Sequence, residues 1–181
     1  MGRLHYNGEI MIKSGDIGFA YHKTNLLSKL LKGAMGSQWS HNFIVFDENY
    51  VIETTSYKIQ LWELKNYLES IEHDVMIFST DLTDQERYAT QIEAIKHVNE
   101  VYGYLQLISF GIRRLLMKFG IKIPNFFRQG LVCSAVVLYS YNKTNNKLLS
   151  KIDPESIDTE EVYQLVKNSP DFKCVFKRGN V

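Results

Sequence analysis

A chain of 181 residues is long enough for one domain with a buried core, and 45% hydrophobic with 23% charged residues excludes a disordered chain. The formal net charge of +1 excludes the broad field of a nucleic-acid binder or an acidic tail. Two cysteines 41 positions apart, with no histidine cluster beside either, give neither a disulfide framework nor a metal spacing, so no metal or cofactor is expected and a reducing compartment is the default.

From Met1 to Ile12 there is no apolar core of a secretory signal, and Tyr6 stands where a myristoylation motif wants Ser or Thr. No apolar run is long enough to span a bilayer, so a cytoplasmic location without a transmembrane segment is expected. Lys13-Ser14-Gly15-Asp16 reads as a turn and Ile17 to Tyr21 as a short strand. Asn25 is placed to cap a helix from Leu26 to Leu31, which Gly33 would end. After the loop Gly36-Ser37-Gln38, His41 to Phe46 is the strongest strand signal, apolar on most of both faces as a central strand is. Asp47-Glu48-Asn49 turns the chain into a returning strand, Tyr50 to Thr55. Leu61 to Leu68 reads as a short helix carrying Trp62, Leu64 and Leu68, and Val75 to Phe78 as a strand.

Thr83-Asp84-Gln85-Glu86 has the form of a capping box. Its helix is expected to run to about Asn99, with Ala89, Ile92 and Ile95 toward the core. Tyr102-Gly103-Tyr104 breaks the pattern. Leu105 to Phe119 is apolar with Arg113, Arg114 and Lys118 interleaved, which reads as a packed helix with a basic rim; the alternative is a helix lying on a membrane surface. Pro124-Asn125 marks a loop that Gly130 ends, and a helix-compatible run of small and apolar residues follows to Tyr139. Asn142 to Asn146 ends it. Asp158 or Thr159 caps a last helix through Lys167, and Phe172 to Phe176 is a final strand. With no linker, repeat or low-complexity tract, residues 1–181 read as one α+β domain.

On this reading Cys133 falls in the first turn of its helix. Unpaired backbone N–H groups and the positive end of the dipole favour thiolate there, which suits a nucleophile. A small apolar filler of a core helix is the other reading. A nucleophilic cysteine needs a base. His5 is near the terminus, His73 adjoins a turn, His97 sits on a polar part of its helix, and His22 ends a strand. His41 opens the strongest strand after a loop, where a rigid scaffold presents functional groups; a strand-edge histidine bonded to backbone is the alternative. The base needs an orienter. A three-residue turn at 47–49 sets Phe43 opposite Glu53, which makes Glu53 a diagonal neighbour of His41, whereas a four-residue turn would invert the parity. A carboxylate in an apolar strand favours a paired role over an exposed edge.

These residues carry a resemblance. Gly15-Asp16-Ile17, then Ser40-His41-Asn42-Phe43-Ile44-Val45-Phe46, then Val51-Ile52-Glu53, then Val132-Cys133-Ser134 resemble the circularly permuted NlpC-type papain-like cysteine hydrolases of the YiiX/YebB-like group, with lecithin–retinol acyltransferase-like proteins as relatives. The resemblance spans roughly Gly15 to Tyr141. It implies Cys133 as nucleophile, His41 as base, Glu53 as orienter, and an antiparallel half-barrel sheet packed on the cysteine helix. The nucleophile's own N–H would be one oxyanion donor, with Gln129 and Tyr21 as candidates for the second. The implied activity is hydrolysis of an amide bond, cell-wall peptide first, through a thioester. Two alternatives stand beside it: lipid ester or amide chemistry at a membrane surface, and a non-catalytic binding module on the same fold. The acyltransferase relatives tend to have a second histidine where this chain has Glu53, which weighs against lipid acyl transfer. Cys174, between Phe172 and Phe176, reads as structural.

Overall fold

The computed structural model describes residues 5–6, 10–54, 57–101, 103, 109, 112–113, 116–117, 119–121 and 131–179. Strands β1 (His5–Tyr6) and β2 (Ile10–Met11) form a small antiparallel pair. Strands β3 (Ile17–His22), β4 (His41–Val45), β5 (Tyr50–Thr54), β6 (Ile59–Glu63), β7 (His73–Thr80) and β8 (Phe172–Arg178) build one antiparallel sheet in the order β6-β5-β4-β3-β7-β8. The sheet is open rather than closed into a barrel. Helices are α1 (Leu26–Met35), α2 (Lys65–Glu69), α3 (Asp84–Lys96), α4 (Cys133–Tyr141) and α5 (Thr159–Asn168). The architecture is α+β, an open antiparallel sheet packed against helices.

Both faces of the sheet are covered, which explains why β4 is apolar on both. Ile17, Phe19, Ile44, Ile52 and Phe78 pack against Ala135, Val136 and Leu138 of α4 and Val162, Tyr163 and Val166 of α5. On the other face Ala20, Phe43, Val45, Val51 and Val75 form a second cluster with Leu64 and Tyr67. Helix α4 is buried almost all round, as a helix without a polar stripe must be. The Gly15–Asp16 turn is locked into this frame. Asp16 is fully buried and accepts from Ser79 Oγ at 2.7 Å, Lys13 N–H at 2.9 Å and Arg87 Nη1 at 3.2 Å, while the Tyr141 hydroxyl donates to the Gly15 carbonyl at 2.6 Å.

Three expectations need correction. Residues 61–68 are not one helix. Ile59–Glu63 pairs with β5 in the register Glu53↔Gln60, and the helix is confined to Lys65–Glu69. Pairing with a sheet edge overrides the local helical pattern there. Helix α1 starts at Asn25 as expected, with the side chain accepting from Ser28 N–H, but passes through Gly33 and ends at Gly36. Gly36 takes the left-handed conformation, φ 59°, that a helix C-terminus favours in glycine. Helix α3 has the Thr83/Glu86 capping box but stops at Lys96, and it buries Arg87, Thr90 and Ala94 rather than Ile92. Arg87 turns the helix, because its guanidinium reaches inward to Asp16 and to the carbonyls of Ser14 and Thr80. Tyr102, Tyr104, much of the Leu105–Phe119 stretch, the Pro124-Asn125 loop and Gln129 lie outside the described residues.

Candidate active site

The hairpin β4–β5 has the three-residue turn. The Phe46 and Asp47 N–H groups donate to the Tyr50 carbonyl, the Asp47 carboxylate accepts from Asn49 and Tyr50 N–H, and the register is Phe43↔Glu53. That parity puts Glu53 on the same face as His41 and Phe43. The side chains meet. His41 Nε2 lies 3.3 Å from Glu53 Oε2, within ion-pair distance though off the axis of a straight hydrogen bond. The imidazole is also within hydrogen-bonding reach of the Cys133 thiol, and both Cys133 and Glu53 are buried.

Cys133 is the first residue of α4, with Val132 as its N-cap in extended conformation and no capping side chain. Its own N–H is one of the donors that a helix leaves unpaired. The Asn42 backbone N–H reaches its sulfur, and Thr159 Oγ1 lies 3.2 Å from it. The electrostatics favour separated charge. Burial would drive the Cys133 thiol up, but the imidazolium, the Thr159 hydroxyl and the Asn42 N–H together hold it below its ordinary value of 9.0. Burial would drive the His41 imidazole down, yet Cys133 and Glu53 outweigh it and raise it from 6.5 to about 10. Burial also opposes ionisation of Glu53, and the His41, Tyr67 and Gln60 side chains overcome that and lower it.

The architecture matches a solved structure. The crystal structure of metalloprotein yiiX from Escherichia coli O157:H7 aligns with a TM-score of 0.58 at 18% identity, over 92% of this chain and 97% of that one. No family model matches the sequence, and no curated protein matches it. At that identity the likeness to yiiX is one of fold.

Cys133, His41 and Glu53 are thus neighbours in the same fold as yiiX. Tyr21 lies on β3 with its ring 4.0 Å below Lys32 Nζ. Cys174 lies on β8, exposed, at the rim of a separate cleft with Lys13, Asp81 and Lys173. Sequence reasoning missed three side chains. Gln60 stands opposite Glu53, which a strand reading of 59–63 would have revealed. The Tyr67 hydroxyl donates to Glu53 Oε2, the same oxygen that faces His41. Thr159 was seen only as a possible helix cap; Asp158 takes that role, accepting from Glu160 and Glu161 N–H, and leaves the Thr159 hydroxyl to Cys133.

Proposed function

We propose that the chain is a cysteine hydrolase of the permuted papain-like kind, acting on an amide bond. The observation that carries this is the half-buried His41 imidazole between a helix-terminal thiol and a carboxylate at 3.3 Å. In this reading Cys133 rests as a thiolate and adds to the substrate carbonyl. The oxyanion draws on the Cys133 N–H. With Nε2 turned to Glu53, Nδ1 of His41 hands its proton to the leaving amine, giving a thioester. His41 then takes a proton from water, which attacks the thioester and releases the acid, and sulfur leaves as the thiolate, restoring the resting ion pair with His41. Glu53 holds the ring and its positive charge. The resemblance of the motifs favours cell-wall peptide as the substrate class.

The yiiX neighbour is described as a metalloprotein. Among the described residues no group of three or more His, Cys, Asp and Glu side chains is arranged to hold a metal ion. Cys133 and His41 offer a metal two donors there, fewer than the three or four a protein-held ion takes, and His41 Nε2 already faces Glu53 Oε2 at 3.3 Å. No step is therefore routed through a metal.

One observation favours a second reading, lipid ester or amide chemistry at a membrane surface: Met117, Phe119 and Ile121, near one another in sequence, are each exposed. No helix among the described residues is long and apolar enough to cross a membrane. Co-flotation with anionic liposomes would favour that reading, and its absence favours the peptidase. The central experiment is turnover of a peptidoglycan-derived peptide by the wild type and Cys133→Ala. Loss of turnover with an unchanged thermal melt supports the mechanism, whereas surviving turnover removes Cys133 from it.

A further inference from the structure

The first turn of α5 is tied to both arms of the candidate site. Ser134 Oγ donates to the Ile157 carbonyl at 2.9 Å, one residue before the helix cap and one residue after Cys133. Glu160 Oε2 accepts from Ser37 Oγ at 2.7 Å and from Gln38 N–H at 2.9 Å, in the loop that delivers His41. Between these two ties sits Thr159, 3% exposed, with its hydroxyl 3.2 Å from the Cys133 sulfur. The Asp158/Glu161 capping box satisfies the helix terminus without it. A buried hydroxyl spared from capping and aimed at sulfur needs an acceptor, and a thiolate is a far better one than a thiol or thioester.

We propose that Thr159 is a positioning residue for the nucleophile: its O–H donates to the resting Cys133 thiolate and holds it beside His41, so that the segment following α4 completes the site. This rests on the cysteine-hydrolase reading. The bond is made to the resting anion and given up when sulfur is acylated. It therefore raises the thiolate fraction while slightly reducing the reactivity of each thiolate.

The test is the pH dependence of iodoacetamide alkylation in a Cys174→Ser background, so that only Cys133 is labelled. Thr159→Val should move the midpoint up by about one pH unit, roughly tenfold fewer thiolates on the acid side, a typical size for a lost hydrogen bond to an anion. The limiting rate at high pH should be retained or slightly higher. Thr159→Ser should restore the parental midpoint, which a purely structural role of the methyl group would not do. Should Thr159→Val not fold, Thr159→Ala is read in the same way. A parental midpoint well below that of a free cysteine, unchanged in Thr159→Val or Thr159→Ala, overturns the Thr159 proposal alone. A parental midpoint at the ordinary thiol value overturns it together with the nucleophile reading.

Discussion

Glu53 Oε2 is shared by two groups, His41 Nε2 and the Tyr67 hydroxyl, and the consequences of removing each differ. Glu53→Gln keeps the shape but removes the charge that faces the imidazolium. A hydrogen bond to a charged group contributes about 1.5–3 kcal/mol, so kcat should fall roughly ten- to a hundred-fold. Combining it with His41→Ala should cost little beyond His41→Ala alone, because residues acting as a unit are not additive. A Glu53→Gln rate within about two-fold of wild type would falsify the orienter role. Tyr67→Phe is milder. The ring keeps its stack on Phe43, with centroids 4.4 Å apart, and only one donor to Glu53 is lost. That bond is to a charged carboxylate, about 1.5–3 kcal/mol, but it reaches the imidazole only through Glu53, so part of it is expected in the rate, a roughly two- to ten-fold lower kcat with KM unchanged. Steady-state kinetics check the split: a rise in KM alone would put Tyr67 in substrate binding instead.

At the scale of elements, the stack that positions Tyr67 depends on a glycine one strand away. Gly18 pairs with Phe43 across β3 and β4, and a methyl group added there would lie 2.0 Å from the Phe43 ring. Gly18→Ala should therefore overpack this face, costing about 1–3 kcal/mol, and displace Phe43, Tyr67 and Glu53 in turn. A lower melting temperature and reduced activity are expected, with partial recovery on adding Phe43→Leu; no recovery would mean the strain is relieved elsewhere. This dependence was not legible in the sequence, since nothing local to Gly18 announces a ring on the next strand. The hairpin was legible, because its turn has a local cause in Asp47 and the turn length alone fixes which face Glu53 takes. The start of α4 was legible for the same reason: a small-residue run after a loop has few other solutions. What failed had tertiary causes. Residues 59–63 were claimed by the edge of β5, and α3 was turned by the reach of Arg87 to Asp16. Thr159 escaped notice because it joins the site only through the packing of α5 on α4, 26 residues after Cys133.

For the whole molecule, the paired charges make a prediction about stability against pH. Between 6.5 and about 10 the native state holds a proton on His41 that the unfolded chain has lost, so this group alone makes stability fall as pH rises. Cys133 works in the opposite sense. Between its lowered native value and 9.0 the native thiol has released a proton that the unfolded chain keeps, so this group alone makes stability rise with pH. Where that window overlaps the one for His41 the two effects cancel, because the proton has only moved from sulfur to nitrogen. Above 9.0 the unfolded cysteine ionises and the His41 effect is left alone, reinforced by Cys174, whose thiol burial raises. Below 6.5 His41 is protonated in both states; Asp16, raised by burial to about 6, favours the native state as acid is added, while Glu53, lowered by His41 and Tyr67 against its burial, makes stability fall with acid. His73, lowered by burial, acts in the same direction. The expected curve is level up to 9.0 over the range where the His41 and Cys133 windows overlap, and declines above 9.0. Cys133→Ala removes the compensating partner but leaves Glu53 beside the imidazole, so its stability should decline steadily as pH rises above 6.5. Urea unfolding midpoints from about pH 5.5 to 9.5, at constant slope, compare the two proteins. A Cys133→Ala curve as flat as that of the wild type would mean that Glu53 alone does not hold His41 protonated against its burial.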